Sequence, residues 1–247
     1  MASNKWIAHE SVPENKKVNI FCFPHAGGTA AYFAQMGNCF GGKAAVLPIQ
    51  YPMREKRIHE KLPDSVSELA KDIVDNCLSE LKSGPFVFLG HCSGSLIAYE
   101  AALYAKETYN LSPSYLIASS TVAPDKYTVE QLSNLPKKEL IEYIKVNSTV
   151  DEQFFENEMM IDYFLPIVRK DFKIQEEYRC IGIRKVDCSI LVMGGSDDQN
   201  LKNKDDINRW SEFTDREFSS VYFPGDHFYM NNNLQDVCDF IKEKLNF

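Results

Sequence analysis

Phe86-Val87-Phe88-Leu89-Gly90-His91-Cys92-Ser93-Gly94-Ser95-Leu96-Ile97-Ala98-Tyr99 decides the architecture of this chain. Phe86–Leu89 is a short apolar run after the breaker Gly84-Pro85 and reads as a buried strand. Ser95 to Ala105, rich in Ala, Leu and Tyr, reads as a helix. Between them lies Gly-x-Cys-x-Gly in the context of strand, sharp turn, helix, which is how a fold presents a nucleophile. The central residue of such an elbow takes a strained backbone conformation. Small residues two before and two after it let strand and helix pass closely. Centring on Cys92 puts Gly90 and Gly94 at the tight positions, whereas centring on Ser93 would put His91 where only a small residue fits. Cys92 is therefore the candidate nucleophile, and the Ser93 N–H a candidate oxyanion donor; the plain alternative is a glycine-rich turn holding a buried cysteine. The helix that follows aims its N-terminus at Cys92 and favours a thiolate.

Outward from the elbow, short apolar runs alternate with helical patterns, which predicts a mainly parallel sheet covered by helices. Val18–Phe23, Ala44–Ile49, Tyr115–Ala118, Ser189–Met193 and Val221–Phe223 read as further strands. Ser65–Leu81 carries apolar residues at Val66, Leu69, Ile73, Cys77 and Leu81, the spacing of one amphipathic helix, and Leu234–Leu245 reads as the closing helix. About 124–179 breaks the alternation. It offers only helical patterns, at Lys137–Val146, Asp151–Phe155 and Glu158–Lys173, and reads as a lid over the C-terminal edge of the sheet, where open α/β sheets bind ligands. Its aromatic residues, Tyr143, Phe154, Phe155, Tyr163, Phe164, Phe172 and Tyr178, read as lid core rather than ligand contacts.

Three more loops carry chemistry. Pro24-His25-Ala26-Gly27-Gly28 follows the first strand and can aim the Ala26 N–H at a developing oxyanion, although a plain strand-to-helix glycine turn has the same composition. Gly194-Gly195-Ser196-Asp197-Asp198 and Pro224-Gly225-Asp226-His227 each follow a later strand. Nucleophile, acid, histidine is the chain order that this elbow architecture uses. His227 is thus the candidate base and Asp198 the candidate acid that orients it, with Asp197 as the alternative. Of the five histidines, His25 precedes the nucleophile, His91 packs beside the elbow, and His9 and His59 lie in polar surroundings.

The 247 residues fit one domain with a core that needs neither disulfide nor metal. A net charge of −8 argues against a nucleic-acid partner. The seven cysteines are irregularly spaced with no CxxC pair, so no zinc or thioredoxin-like site is expected. No signal core or membrane-length apolar run is present, so the expected compartment is a reducing cytoplasm.

The chain resembles the type II thioesterases that accompany nonribosomal peptide and polyketide synthetases. The likeness rests on Phe23–Gly28, on Gln50-Tyr51-Pro52 with Arg54, Glu55 and Arg57, on Gly90–Gly94, on Leu132–Pro136, on Leu165–Phe172, on Gly194–Asp198 and on Gly225–Phe228, and so spans nearly the whole sequence. The resemblance implies the α/β-hydrolase fold with a helical lid and hydrolysis of acyl thioesters from the phosphopantetheine arm of carrier proteins, which clears misprimed or stalled synthetases; no cofactor is expected, and the expected state is a monomer. It carries the nucleophile onto Cys92, the acid onto Asp198, the base onto His227 and the oxyanion donors onto Ala26 and Ser93. Three positions depart from the family pattern: Cys92 where Ser is usual, Ser93 where Met is common and Gln199 where Pro is common. Attack of a thiolate on a thioester is a nearly balanced exchange, so release falls to water or to an amine. Acyl transfer or amide formation from Cys92 is thus one alternative, and a binding protein with a decayed triad is another.

Overall fold

The computed structural model describes residues 4–128 and 131–246. Six strands, β1 (Val18–Phe23), β2 (Ala44–Pro48), β3 (Phe86–His91), β4 (Tyr115–Ser119), β5 (Ser189–Gly195) and β6 (Phe218–Phe223), form one sheet in the order β2-β1-β3-β4-β5-β6. Every pairing is parallel, and β1 through β3 are buried along their whole length. That burial explains why they read as continuous apolar runs rather than alternating ones. The β6 edge begins earlier than its apolar core suggested, because Phe218-Ser219-Ser220 pairs with β5 while staying half-exposed or exposed. The β2 edge is covered by the N-terminal segment, through antiparallel bridges Ile7 to Ile49 and Ser11 to Val46.

Helices lie on both faces. Against one pack α1 (Val66–Asn76), α2 (Leu78–Leu81), α3 (Ser93–Tyr109) and the short α6 (Lys204–Asn208); against the other pack a 3-10 segment, Ala30–Phe40, and the closing helix, α7 (Met230–Lys244). Ser65 caps α1, its hydroxyl accepting from the Glu68 N–H at 3.1 Å. The single helix read over Ser65–Leu81 is broken at Cys77 (φ −107°, ψ 17°). The reason is tertiary: Asn4 donates to the Asn76 carbonyl at 2.8 Å and to Glu80 at 3.0 Å. Cys77 and Leu81 nevertheless stay buried, so the apolar face survives the break.

Among the described residues, the stretch between β4 and β5 carries no strand through its helical part. It holds α4 (Lys137–Asn147), a 3-10 turn at Glu152–Glu156 and α5 (Glu158–Glu176). Leu140 and Ile144 of α4 pack on Ile161, Leu165 and Val168 of α5 in a small core of their own. The C-terminal half of α5 is tied to the body of the protein through Asp171, which pairs with Arg54, and to the segment leading into α4, where Gln175 accepts from Tyr127 at 2.8 Å and Glu176 from the Leu132 and Ser133 N–H groups at 2.7 Å. No helix among the described residues is long and apolar enough to cross a membrane. The strand order reverses at β1, so the loops after β1 and β3 open a crevice at the C-terminal edge of the sheet.

Candidate active site

Cys92 stands at that crevice, on the turn between β3 and α3. Its backbone is held at φ 53°, ψ −124°, a conformation that L-residues rarely adopt. The turn is fixed from both sides: the Cys92 N–H donates to the Ser119 carbonyl of β4 at 2.7 Å, and its carbonyl accepts from Ser95 N–H at 3.0 Å. The two glycines are obligatory. A Cβ on Gly90 would overlap Ser95 and Gly94 backbone atoms, and one on Gly94 would overlap the carbonyl oxygens of Phe23 and Pro24. As the first residue of α3, Ser93 has an N–H with no acceptor inside the helix. Ser93 itself is buried, while Cys92 and Ala26 face one cavity.

The loops after β5 and β6 meet beside this turn. Ser196 N–H donates to the Phe223 carbonyl at 2.8 Å and Asp197 N–H to the Gly225 carbonyl at 2.9 Å, and a Cβ on Gly195 would overlap the Asp226 carbonyl. This clasp brings His227 Nδ1 to 2.8 Å from Asp198 Oδ2. Asp198 is buried, its other oxygen accepting from Asn200 N–H at 2.9 Å, whereas Asp197 is exposed. A carboxylate can only accept, so the Nδ1 carries hydrogen and Nε2 is left for the cysteine. Burial alone pushes the His227 pKa down; charge on the Cys92 sulfur, hydrogen bonding to Asp198 and to Cys92, and the Asp198 charge outweigh it and hold His227 at about 10. His227 is thus hydrogen-bonded to Asp198 and shares the cavity with Cys92, whose sulfur raises its pKa.

The thioesterase-domain family model matches residues 18–245. The chain belongs to the thioesterase family. This thioesterase is 30% identical over 243 residues to the gramicidin S biosynthesis protein GrsT of Aneurinibacillus migulanus, covering 98% of this chain and 94% of that protein. It is 28% identical to the thioesterase PikA5 of Streptomyces venezuelae, covering 98% and 86%. Among solved structures, the type II thioesterase BorB from the borrelidin biosynthetic cluster superposes with a TM-score of 0.87 at 28% identity, covering 98% of both chains. The α/β-hydrolase fold and the assignment as a hydrolase of thioester bonds follow from these likenesses and the parallel sheet.

The cavity in front of Cys92 has a volume of about 490 Å³. Its walls come from the loop Ala26–Thr29, from the loops carrying Asp198 and His227, and from α4, α5 and the strand-free segment Ser148–Val150 between them. Tyr143, Phe164 and Phe172, read as lid core from the sequence, line it as well as packing within the lid, Tyr143 on Phe172 and Phe164 on Phe154 and the α4–α5 core. Ile144 and Val168 likewise belong to both the α4–α5 core and the cavity wall. Among the described residues, no cluster of three or more His, Cys, Asp or Glu side chains could hold a metal ion.

Two histidines lie behind the site. His91 is fully buried, its Nδ1 3.0 Å from Ser119 Oγ, which is in turn 2.9 Å from Tyr229 Oη. His25 lines the cavity and is enclosed by Tyr32, His91 and Phe228. Burial, then the His227 charge, then that of Arg54, push His25 down to about 3; burial and the two other histidines push His91 well below its ordinary value. Both are neutral at physiological pH and serve as packing, not as bases. Sequence reasoning gave no role to Arg54 and Asp171, a buried pair 117 residues apart with Asp171 Oδ2 accepting the Gly27 N–H at 2.7 Å. The only signal was their place in the motifs behind the family resemblance.

Proposed function

We propose that this thioesterase releases acyl groups from the phosphopantetheine arm of acyl- or peptidyl-carrier domains of a nonribosomal peptide or polyketide synthetase, acting in the cytoplasm as an editing enzyme. The observation that carries this reading is the His227–Asp198 pair opening, with Cys92, onto a cavity walled by Phe164, Phe172, Val168 and Ile144. Relatives named for gramicidin S and borrelidin biosynthesis support the pathway.

In the first half-reaction the Cys92 sulfur attacks the thioester carbonyl. The tetrahedral oxyanion accepts hydrogen bonds from the Ala26 and Ser93 N–H groups, and the C–S bond to pantetheine breaks as His227 returns a proton to the departing thiolate. In the second, water attacks the acyl-cysteine with His227 taking its proton, and the carboxylic acid leaves Cys92 free. Asp198 holds the imidazole in the working tautomer throughout. The apolar walls suit a neutral acyl chain, and the insertion acts as the lid that admits the pantetheine arm.

Mass spectrometry after mixing with an acyl-carrier substrate tests the proposal. The expected result is an acyl adduct on Cys92 that decays in water to free acid. Turnover with no adduct at Cys92, or none at all, overturns it, and release only on adding an amine assigns the enzyme to acyl transfer.

A further inference from the structure

The loop Pro24–Gly28 carries the Ala26 N–H, and the structure shows what aims it. Arg54 and Asp171 are both buried, paired at 2.7 and 3.0 Å through the fork of the guanidinium. Replacing a buried ion pair with apolar groups often leaves stability unchanged, so its presence calls for a geometric reason. Its remaining bonds supply one. Asp171 Oδ2 accepts from Gly27 N–H at 2.7 Å, and Arg54 donates to the Gly28 carbonyl at 2.9 Å. Tyr51, whose ring lies 5.2 Å from the guanidinium, donates to the Pro24 carbonyl at 3.2 Å. These bonds bracket Ala26 on both sides. Gly27 sits at φ +72°, and a Cβ there would lie 3.0 Å from Val168 Cγ2 and 3.2 Å from Phe164 Cζ, both on α5. The loop is therefore pressed against the same helix that contributes Asp171.

We infer that Asp171 and Arg54 are positioning residues of the oxyanion hole, so that the Ala26 N–H points at the reacting carbonyl only while α5 is seated on the loop. This rests on the proposed role of Ala26 as a donor. A carboxylate is required at 171, because one oxygen must accept from Arg54 and Gly27 together while the other accepts from Arg54. An amide would turn an NH2 group toward one of these donors.

Two readouts on the full-length protein separate aiming from packing. Thioester hydrolysis passes through an oxyanion; alkylation of Cys92 by iodoacetamide, a displacement at a saturated carbon, does not. Asp171→Asn should lower kcat by about 10- to 100-fold, short of the loss of a whole oxyanion donor, with KM changed little. Its Cys92 alkylation rate should stay within about twofold of the wild type, since no oxyanion donor enters that step. Arg54→Lys keeps the charge but not the fork and should behave alike; it serves if Asp171→Asn does not fold. An unchanged kcat overturns the inference, and so does an alkylation rate that falls in step with kcat, which would place the effect on Cys92 or His227. If Cys92→Ala keeps full activity, the mechanism itself fails; if it is inactive while Asp171→Asn matches the wild type, only this inference fails.

Discussion

The two neutral histidines behind the site make the fold acid-sensitive in a calculable way. Both His25 and His91 have depressed pKa values in the folded protein, His25 at about 3. Unfolded, each titrates near its ordinary value of about 6.5. A base with a lowered folded pKa leaves the unfolded chain holding more protons below 6.5, so stability is present above that pH and is lost as pH falls through it. Between pH 7.5 and 5.5 each imidazole goes from almost unprotonated to about nine-tenths protonated in the unfolded chain, while the folded chain takes up nothing. The loss is on the order of 1 kcal/mol each and about 2–3 kcal/mol together, a large part of a typical net stability. His227 confuses the comparison, because its raised pKa keeps it protonated in the fold across this range. The perturbation is therefore best applied to His227→Gln. Urea unfolding followed by circular dichroism at the two pH values should give a free energy lower by about 2–3 kcal/mol at pH 5.5 with the slope m unchanged. A difference under about 0.5 kcal/mol would mean that His25 and His91 accept protons inside the fold, and the account of their burial would be wrong.

Three further outcomes are expected. Iodoacetamide should alkylate Cys92 first among the seven cysteines, since burial holds Cys77 and Cys188 at about 12; Cys92→Ser should keep measurable hydrolysis and lose that sensitivity, and peptide mapping reads both. His227→Ala should lower kcat/KM by at least ~10²-fold, and Asp198→Asn should cost far more activity than Asp197→Asn; equal effects of the two asparagine variants would unseat Asp198 as the acid. Gly94→Ala should fail to accumulate as folded protein, because its Cβ meets the Phe23 and Pro24 carbonyl oxygens, and a normal thermal melt of that variant would refute the close packing of α3 on β1.

The elements legible without coordinates were those whose cause is local. Phe86–Leu89 and Val18–Phe23 are buried strands of a parallel sheet, so uninterrupted apolar runs identified them. Gly90, Cys92 and Gly94 owe their spacing to one strained turn, and the steric demand that selects glycine there is written into five residues. The ends of elements were less legible because distant groups decide them: Asn4 donates to the Asn76 carbonyl where the helix breaks at Cys77, and a short turn from Met230 precedes the helix read from Leu234, kinked into it at Asn233 (φ −126°, ψ 25°), whose side chain donates at 2.7 Å to the Pro224 and Tyr229 carbonyls.

By itself, then, the sequence determined the sheet-forming runs, the elbow and the order in which Cys92, an acid and His227 follow one another, because periodicity and turn sterics act over a few residues. Tertiary structure alone decided that Asp198 rather than Asp197 faces His227, that Tyr143, Phe164 and Phe172 face the cavity, and that Asp171 grips Gly27 beside Arg54. Those choices depend on which groups a buried carboxylate or ring meets across 29 to 144 residues of chain, and no local pattern encodes that meeting.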